Sequence, residues 1–358
     1  MRTVILGCGH IGQTIARLLA DCGEGRDYNI TIADRDAAAL QAIAGLRAER
    51  AILDSADPQA LAALLQRAEV VINALPYHMA VSVATVARQT GTHYFDLTED
   101  VQATRAIAAL AADAPCAFMP QCGLAPGFIG IVAHHLAAGF DEVHEIKMRV
   151  GALPQYPTNE LKYNLTWSVD GLINEYCHPC EALRDGERVT VDPLADLEHF
   201  SLDGAEYEAF NTSGGLGSLC ETLAGRVGNL DYKSVRYPGH QQRMKFLLGD
   251  LGLRHDPELL KHILRKSVPS TLQDVVLVFV TVSGMREGKL MQEVFTRKIF
   301  ARERDGRRES AIQASTAAGV CAALDLFRAG QLPARGFIRQ EQIGLPALLG
   351  NRFGAVYA

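Results

Sequence analysis

Over roughly the first 120 residues, short apolar runs alternate with stretches in which apolar positions return every third or fourth residue. Thr3-Val4-Ile5-Leu6 reads as a strand, Ile11 to Cys22 as a helix, Ile30 to Ala33 as a strand and Asp36 to Ala44 as a helix. Asp57-Pro58 opens a further helix, with an aspartate at the cap and a proline in the first turn. Val70 to Leu75 is a continuous apolar run apart from Asn73, the pattern of a strand buried on both faces of a parallel sheet. His93 to Leu97 and Cys116 to Met119 continue the series. Strand and helix alternating at this spacing predict an α/β fold with a doubly wound parallel sheet.

The pattern changes near Gln121. Gly123, Pro126 and Gly127 punctuate the chain, and from His144 to Val150 a series of strands begins, separated by polar loops. Asp274 to Ser283 and Glu293 to Ala301 read as paired long strands joined around Gly284 and Gly288. A second, α+β domain with a largely antiparallel sheet is therefore expected over residues 123–309. Ser310 to Arg328 is Ala-rich and helix-periodic, and residues 310–358 are expected to complete the first domain, 1–122.

Composition narrows the class. The chain has 358 residues, 48% of them apolar and 21% charged, enough for two packed cores. A formal net charge of −6 offers no basic field for a nucleic-acid backbone or an anionic membrane, so neither partner is expected. No run of about twenty apolar residues occurs, and the N-terminus lacks the marks of a secretory signal. The eight cysteines, Cys8, Cys22, Cys116, Cys122, Cys177, Cys180, Cys220 and Cys321, are scattered, and a reducing, cytoplasmic setting is expected.

Gly7-Cys8-Gly9-His10-Ile11-Gly12 is a G-x-G-x-x-G placed directly after a predicted strand and at the start of a helix. In that context Gly7 permits the tight turn, Gly9 lets backbone approach a diphosphate and Gly12 lets helix pack on strand. His10 and Ile11 lie in the first helical turn, whose N–H groups and positive dipole end favour phosphate. Asp34 ends the next strand about twenty residues on, where a carboxylate accepts hydrogen bonds from the adenosine ribose. Its charge favours NAD over NADP, although Arg35 beside it is a possible partner for a 2′-phosphate. Together these features predict a Rossmann-type dinucleotide-binding domain. Asn73-Ala74-Leu75-Pro76 ends a central strand at its carboxyl side and is expected to border the coenzyme, with Tyr77 facing the reacting end.

Seven ordered phrases spanning most of the chain resemble the saccharopine dehydrogenase family. They are Gly7 to Gly12, Asn73 to Tyr77, Gly123 to Gly127, Val150 to Pro154, Tyr163 to Ser168, Asn211 to Gly215 and Val235 to His240. The resemblance implies oxidation at a carbon bearing nitrogen, with hydride passing to NAD and the imine then hydrolysed. It implies a lysine-derived amino acid as substrate. Either saccharopine is cleaved to glutamate and a semialdehyde, or the lysine side-chain amine is oxidatively deaminated; a carboxynorspermidine-type substrate belongs to the same class. A non-catalytic NAD-binding sensor on the same fold is the alternative of another kind. The resemblance also suggests a homodimer through the second domain's sheet.

The chemistry sets requirements for particular residues. An alkylamine has a pKa of about 10.4 and donates hydride only when unprotonated, so a proton acceptor is needed. His240, after a Pro-Gly turn, is a candidate expected to titrate near neutrality. Asp96 and Glu99 at the end of another first-domain strand are further candidates, and Tyr77 at the reacting end is a further catalytic candidate. The substrate carboxylate needs a cation, and Arg236 suits it because guanidinium binds carboxylate bidentately; Lys162 and Arg149 are further possible cations. Tyr163, Asn164 and Trp167 are expected to line the pocket, and Asn211, Thr212 and Ser213 to offer amide and hydroxyl donors. Cys177-His178-Pro179-Cys180 has half the spacing of a zinc site but no second ligand pair follows it, and His134-His135 sit in an apolar helical stretch, so no metal is expected.

Overall fold

The computed structural model describes residues 1–22, 27–304 and 306–358. The chain divides into two compact units, one of residues 1–128 with 313–358 and one of residues 129–312.

The first unit begins β1 (Arg2–Leu6), α1 (His10–Asp21), β2 (Asn29–Asp34), α2 (Ala37–Gln41), β3 (Glu49–Ile52) and α3 (Pro58–Leu65). It continues β4 (Val70–Asn73), α4 (Ala80–Thr90), β5 (His93–Asp96), α5 (Val101–Ala111) and β6 (Ala117–Met119). The strands form a parallel sheet in the order β6-β5-β4-β1-β2-β3, and Gly336–Phe337 adds a seventh strand beside β6. Strand order across the sheet reverses between β1 and β4, and in such sheets ligands bind at the carboxyl ends of the strands at that point. Val4, Leu6, Val71, Tyr94 and Phe118 from the strands pack against Val83, Ala87 and Ile107 of the helices. Asp36, Asp57 and Asp100 each cap a helix through a side-chain oxygen.

Strand β3 carries no signal in the hydrophobic pattern. It is an edge strand of sequence Glu-Arg-Ala-Ile with no buried residue, so its apolar periodicity is absent.

The C-terminal segment is locked onto this unit. Asp325, in the helix Ala311–Arg328, accepts hydrogen bonds from Tyr28 (2.8 Å), Asn351 (2.9 Å) and Arg352 (2.6 Å). Tyr357 stacks on Phe128 with ring centroids 3.8 Å apart, and its hydroxyl donates to the Ser315 carbonyl. A Cβ on Gly319 would stand 2.6 Å from the Cys122 carbonyl oxygen, so this helix reaches its seat only with glycine there.

The second unit opens with α6 (Phe128–Ala137), of which only Phe128 belongs to the first unit. Its elements are β7 (Glu142–Pro154), α7 (Val169–Cys177), β8 (Cys180–Arg184), β9 (Glu187–Val191), β10 (Glu198–Leu202) and β11 (Ala205–Asn211). Next come α8 (Leu219–Leu223), β12 (Val227–Arg236), α9 (His240–Lys245), α10 (Pro257–Ser267), β13 (Asp274–Arg286) and β14 (Lys289–Phe300). The main sheet runs β10-β11-β12-β7-β13-β14, antiparallel except for the β12–β7 pair.

The β13–β14 hairpin is longer than the sequence pattern suggests. Its turn is Glu287-Gly288, both at positive φ, whereas Gly284 lies inside β13 at a register shift. A Cβ at Gly284 would fall on the Glu142 carbonyl oxygen, so this glycine serves close backbone approach, not the turn.

Along β12, Leu230, Tyr232, Ser234 and Arg236 share one face. Tyr163, Leu172, Tyr176, Phe210, Met244 and Leu260 form the buried cluster around α7, α9 and α10. The other face carries Arg149, whose guanidinium lies over Phe200 and Phe279.

Candidate functional site

In the first unit the glycine loop is built by steric necessity. Gly7 has φ +95°, and a Cβ there would lie 2.9 Å from the Ala74 carbonyl oxygen. A Cβ on Gly12 would fall on the Gly7 carbonyl oxygen. Gly9 differs from both: nothing lies within 4 Å of a Cβ placed on it, and it caps α1 without any side-chain hydrogen bond. The first turn of α1 therefore points unsatisfied N–H groups into open space, the arrangement that holds a diphosphate. His10 is exposed there and Ile11 half-buried. The intervening Cys8 is turned inward, with Sγ 3.3 Å from the Ala39 carbonyl.

Asp34 stands beside this loop. One carboxylate oxygen accepts from the Cys8 N–H (2.6 Å) and the other from the Asp36 N–H (2.9 Å). These bonds fix the carboxylate while leaving each oxygen a second lone pair, the capacity a ribose hydroxyl needs. Arg35 is exposed. Asn73 uses its side chain locally, donating to the Tyr94 hydroxyl (3.2 Å) and accepting from the Leu75 N–H (3.2 Å). That turn presents the Ala74 backbone to Gly7 and leaves Leu75 half-buried and Pro76 exposed. Half-buried Tyr77 then opens a short 3₁₀ turn. The residues present fit a dinucleotide: a glycine-lined opening, an uncapped helix start and an anchored carboxylate.

Asp96 is buried and held by three hydrogen bonds. Tyr94 donates to one oxygen (2.7 Å), and the N–H groups of Thr98 and Gln121 donate to the other (3.0 Å each). Burial pushes its pKa up to about 6, against these three hydrogen bonds, which pull it down. The carboxylate thus ties the end of β5 to the segment after β6. Glu99 is half-buried in the loop that follows β5.

In the second unit Arg236 ends β12, almost fully buried. Its guanidinium lies over the rings of Tyr163 (5.1 Å) and Tyr176 (5.7 Å). One nitrogen donates to the Val235 carbonyl (2.8 Å), while Nε is buried with no hydrogen-bond partner. Glu175 is the acidic residue whose charge reaches the guanidinium. The hydroxyls of Tyr163 and Thr166 lie near one another, both buried and neither in a hydrogen bond of ordinary geometry. A permanent cation and two hydroxyls with unused hydrogen-bonding capacity in one apolar box can receive an anion.

His240 is fully buried against this box. Its Nδ1 lies 2.8 Å from the Leu161 carbonyl, which only accepts, so Nδ1 carries the proton and Nε2 accepts from the Tyr176 hydroxyl at 3.1 Å. Burial first, then the charge of Arg236, drives its pKa down to about 3. The expectation of titration near neutrality is therefore corrected: this imidazole stays neutral across the physiological range.

The other sequence candidates divide by strand parity. Asn211 lies opposite Lys233 in the sheet, on the face away from Arg236, and donates to Asp196 (2.9 Å). Thr212 shares a hydrogen bond with Ser234 (2.8 Å) and Ser213 donates its N–H to the Glu175 carbonyl of α7. These two therefore lie on the Arg236 side. Asn164 bonds Thr158 within its own loop, and half-buried Trp167 covers Gly171, where a Cβ would enter its ring. Arg149 is engaged bidentately with Glu198 (2.7 and 3.2 Å). Thr166 lay inside the phrase Tyr163 to Ser168 without being singled out, and the hint for Tyr176 was its place four residues after Leu172 on the apolar face of α7.

Two family models match the chain. The saccharopine dehydrogenase NADP binding domain covers residues 3–118 and the saccharopine dehydrogenase C-terminal domain covers residues 123–351. Among solved structures, apo saccharopine dehydrogenase (L-Glu forming) from Saccharomyces cerevisiae aligns with TM-score 0.79 at 19% identity, over 97% of this chain and 96% of that one. Homospermidine synthase from Legionella pneumophila in complex with NAD aligns with TM-score 0.69 at 13% identity, over 99% and 89%. DAP dehydrogenase of C. glutamicum in complex with DAP aligns with TM-score 0.51 at 12% identity, over 99% and 98%.

Proposed function

The chain belongs to the saccharopine dehydrogenase family, and on that premise we propose that it is an NAD-dependent oxidoreductase acting on the C–N bond of a lysine-derived amino acid. The reaction proposed first is the glutamate-forming cleavage of saccharopine. The observation that carries the reading is Arg236, a buried cation whose Nε has no partner, walled by aromatic rings. An amino-acid carboxylate supplies the missing acceptor, with the Tyr163 and Thr166 hydroxyls as further donors.

A second reading is deamination of free lysine at its side-chain amine: the one guanidinium of Arg236 with its unpaired Nε suits a substrate with one carboxylate, and saccharopine carries more.

The residues divide the work. Gly7, Gly9 and Gly12 with the first turn of α1 hold the diphosphate, and Asp34 holds the adenosine ribose and disfavours a 2′-phosphate. When bound, the coenzyme supplies the hydride acceptor. Glu99, in the loop after β5, is the group proposed to take a proton from the substrate amine, and Tyr77, after β4, is proposed to face the reacting end of the coenzyme. Asp96 orders the loops around them. A homodimer and a cytoplasmic location belong to the same reading; no helix among the described residues is long and apolar enough to cross a membrane.

The test is to offer purified protein NAD or NADP with saccharopine, lysine or carboxynorspermidine, following the reduced coenzyme optically and ammonia separately. Reduction with saccharopine and no ammonia supports the first reading; ammonia from lysine supports the second. Coenzyme binding without turnover of any amine would leave a non-catalytic NAD sensor.

A further inference from the structure

We infer that His240 and Tyr176 form a latch that sets the Arg236 guanidinium, so that His240 contributes to the grip on the substrate's carboxylate and takes no proton from its amine. The inference rests on the reading of Arg236 as a carboxylate site.

One imidazole places both walls of the box. Nδ1–H donates to the carbonyl of Leu161, two residues before Tyr163, and so holds the segment that delivers the first wall. Nε2 accepts from the hydroxyl of Tyr176, the second wall. Both rings that face Arg236 are thus placed by the same side chain, each through a different nitrogen. The imidazole also stacks on Phe210 (6.2 Å, 10° between planes) and tilts against Tyr163 (5.3 Å).

The arrangement has a physical reason. A guanidinium buried this deeply needs compensation, and aromatic faces give it only when held at the correct angle. The Tyr176 ring meets that of Phe210 edge-on (78°). Without the bond to His240 nothing fixes the angle of the Tyr176 ring, and the Arg236 guanidinium that lies over this ring loses part of its support. The guanidinium would then lose the orientation in which Nε awaits an acceptor. A proton acceptor, by contrast, needs an accessible lone pair, and both ring nitrogens of His240 are committed.

The experiment compares the wild type with Tyr176→Phe, which keeps the ring and removes the hydroxyl, and with His240→Asn, which retains a donor near the Nδ1 position. Calorimetry with L-lysine and L-saccharopine, and separately with NAD, reads each site alone; steady-state kinetics across pH reads the proton chemistry. The latch predicts that Tyr176→Phe weakens amino-acid binding about tenfold, the effect of one ordinary hydrogen bond. NAD affinity should hold, KM should carry most of the loss, and the pH profile should keep its limbs in both variants. Amino-acid binding unchanged in Tyr176→Phe overturns the latch, as does loss of a pH limb in His240→Asn with KM preserved. If the wild type binds neither amino acid, the assignment of Arg236 itself falls and the latch with it.

Discussion

The three glycines of the first loop predict two different failures. Gly9 has open space where a methyl would sit and an ordinary φ of −72°, so Gly9→Ala meets no steric obstacle in the folded chain. Its cost to stability is that of a poorer helix cap, on the order of 0.5–1 kcal/mol. The same methyl would occupy the space through which a diphosphate approaches the first turn of α1. Overpacking of one methyl costs about 1–3 kcal/mol, which converts to a roughly 5- to 150-fold weaker Kd for NAD. Gly12→Ala should behave otherwise, because its Cβ falls on the Gly7 carbonyl and must push helix from strand. Stability and NAD affinity should then drop together. Thermal unfolding paired with NAD titration by calorimetry separates the two. If Gly9→Ala binds NAD as the wild type does, the diphosphate does not lie over this loop and the coenzyme assignment is refuted.

Other consequences follow from the buried charges. Arg236→Met replaces a deeply buried cation by an apolar chain of similar length, so the midpoint of unfolding should rise while binding of amino acids disappears; a fall in stability would mean the cation is already neutralised. Asp34→Ser should lower the preference for NAD over NADP, measured as the ratio of kcat/KM values, and an unchanged ratio would remove the ribose contact assigned to Asp34. Asp96 has its pKa raised to about 6 from the usual carboxylate range. Its folded form holds the proton more tightly, so its contribution to stability is fullest below about pH 4 and is lost as pH rises toward 6. Asp96→Asn, which keeps an acceptor for Thr98 and Gln121, should remove that part of the pH dependence, on the order of 2–3 kcal/mol. Urea unfolding at pH 4.5, 5.5 and 7 checks this, and parallel curves for the two proteins would show that Asp96 carries no such linkage.

Much of the architecture was legible because it rests on local rules. The alternation of Val4 to Leu6, Ile30 to Ala33 and Val70 to Ile72 with helix-periodic stretches marks strands buried on both faces. Gly7, Gly9 and Gly12 are dictated by turn and helix geometry within one βα unit, and Asp34 lies one strand away. The edge strand β3 was hidden, since a strand with no buried position has no hydrophobic signature.

How the side chains around Arg236 are paired was decided by tertiary structure. The letters placed His240 in a Pro-Gly turn, but its neutral state arises from Tyr163, Tyr176 and Arg236 closing around it from distant parts of the chain. Likewise Asn211 and Thr212 are neighbours in sequence and face opposite sides of the sheet, and Arg149 is taken by Glu198 across the fold. Sequence declares which side chains are charged or aromatic. The cost of removing a charge from water, and the choice of who compensates it, depend on what packs against it, and that is settled only when the chain has folded.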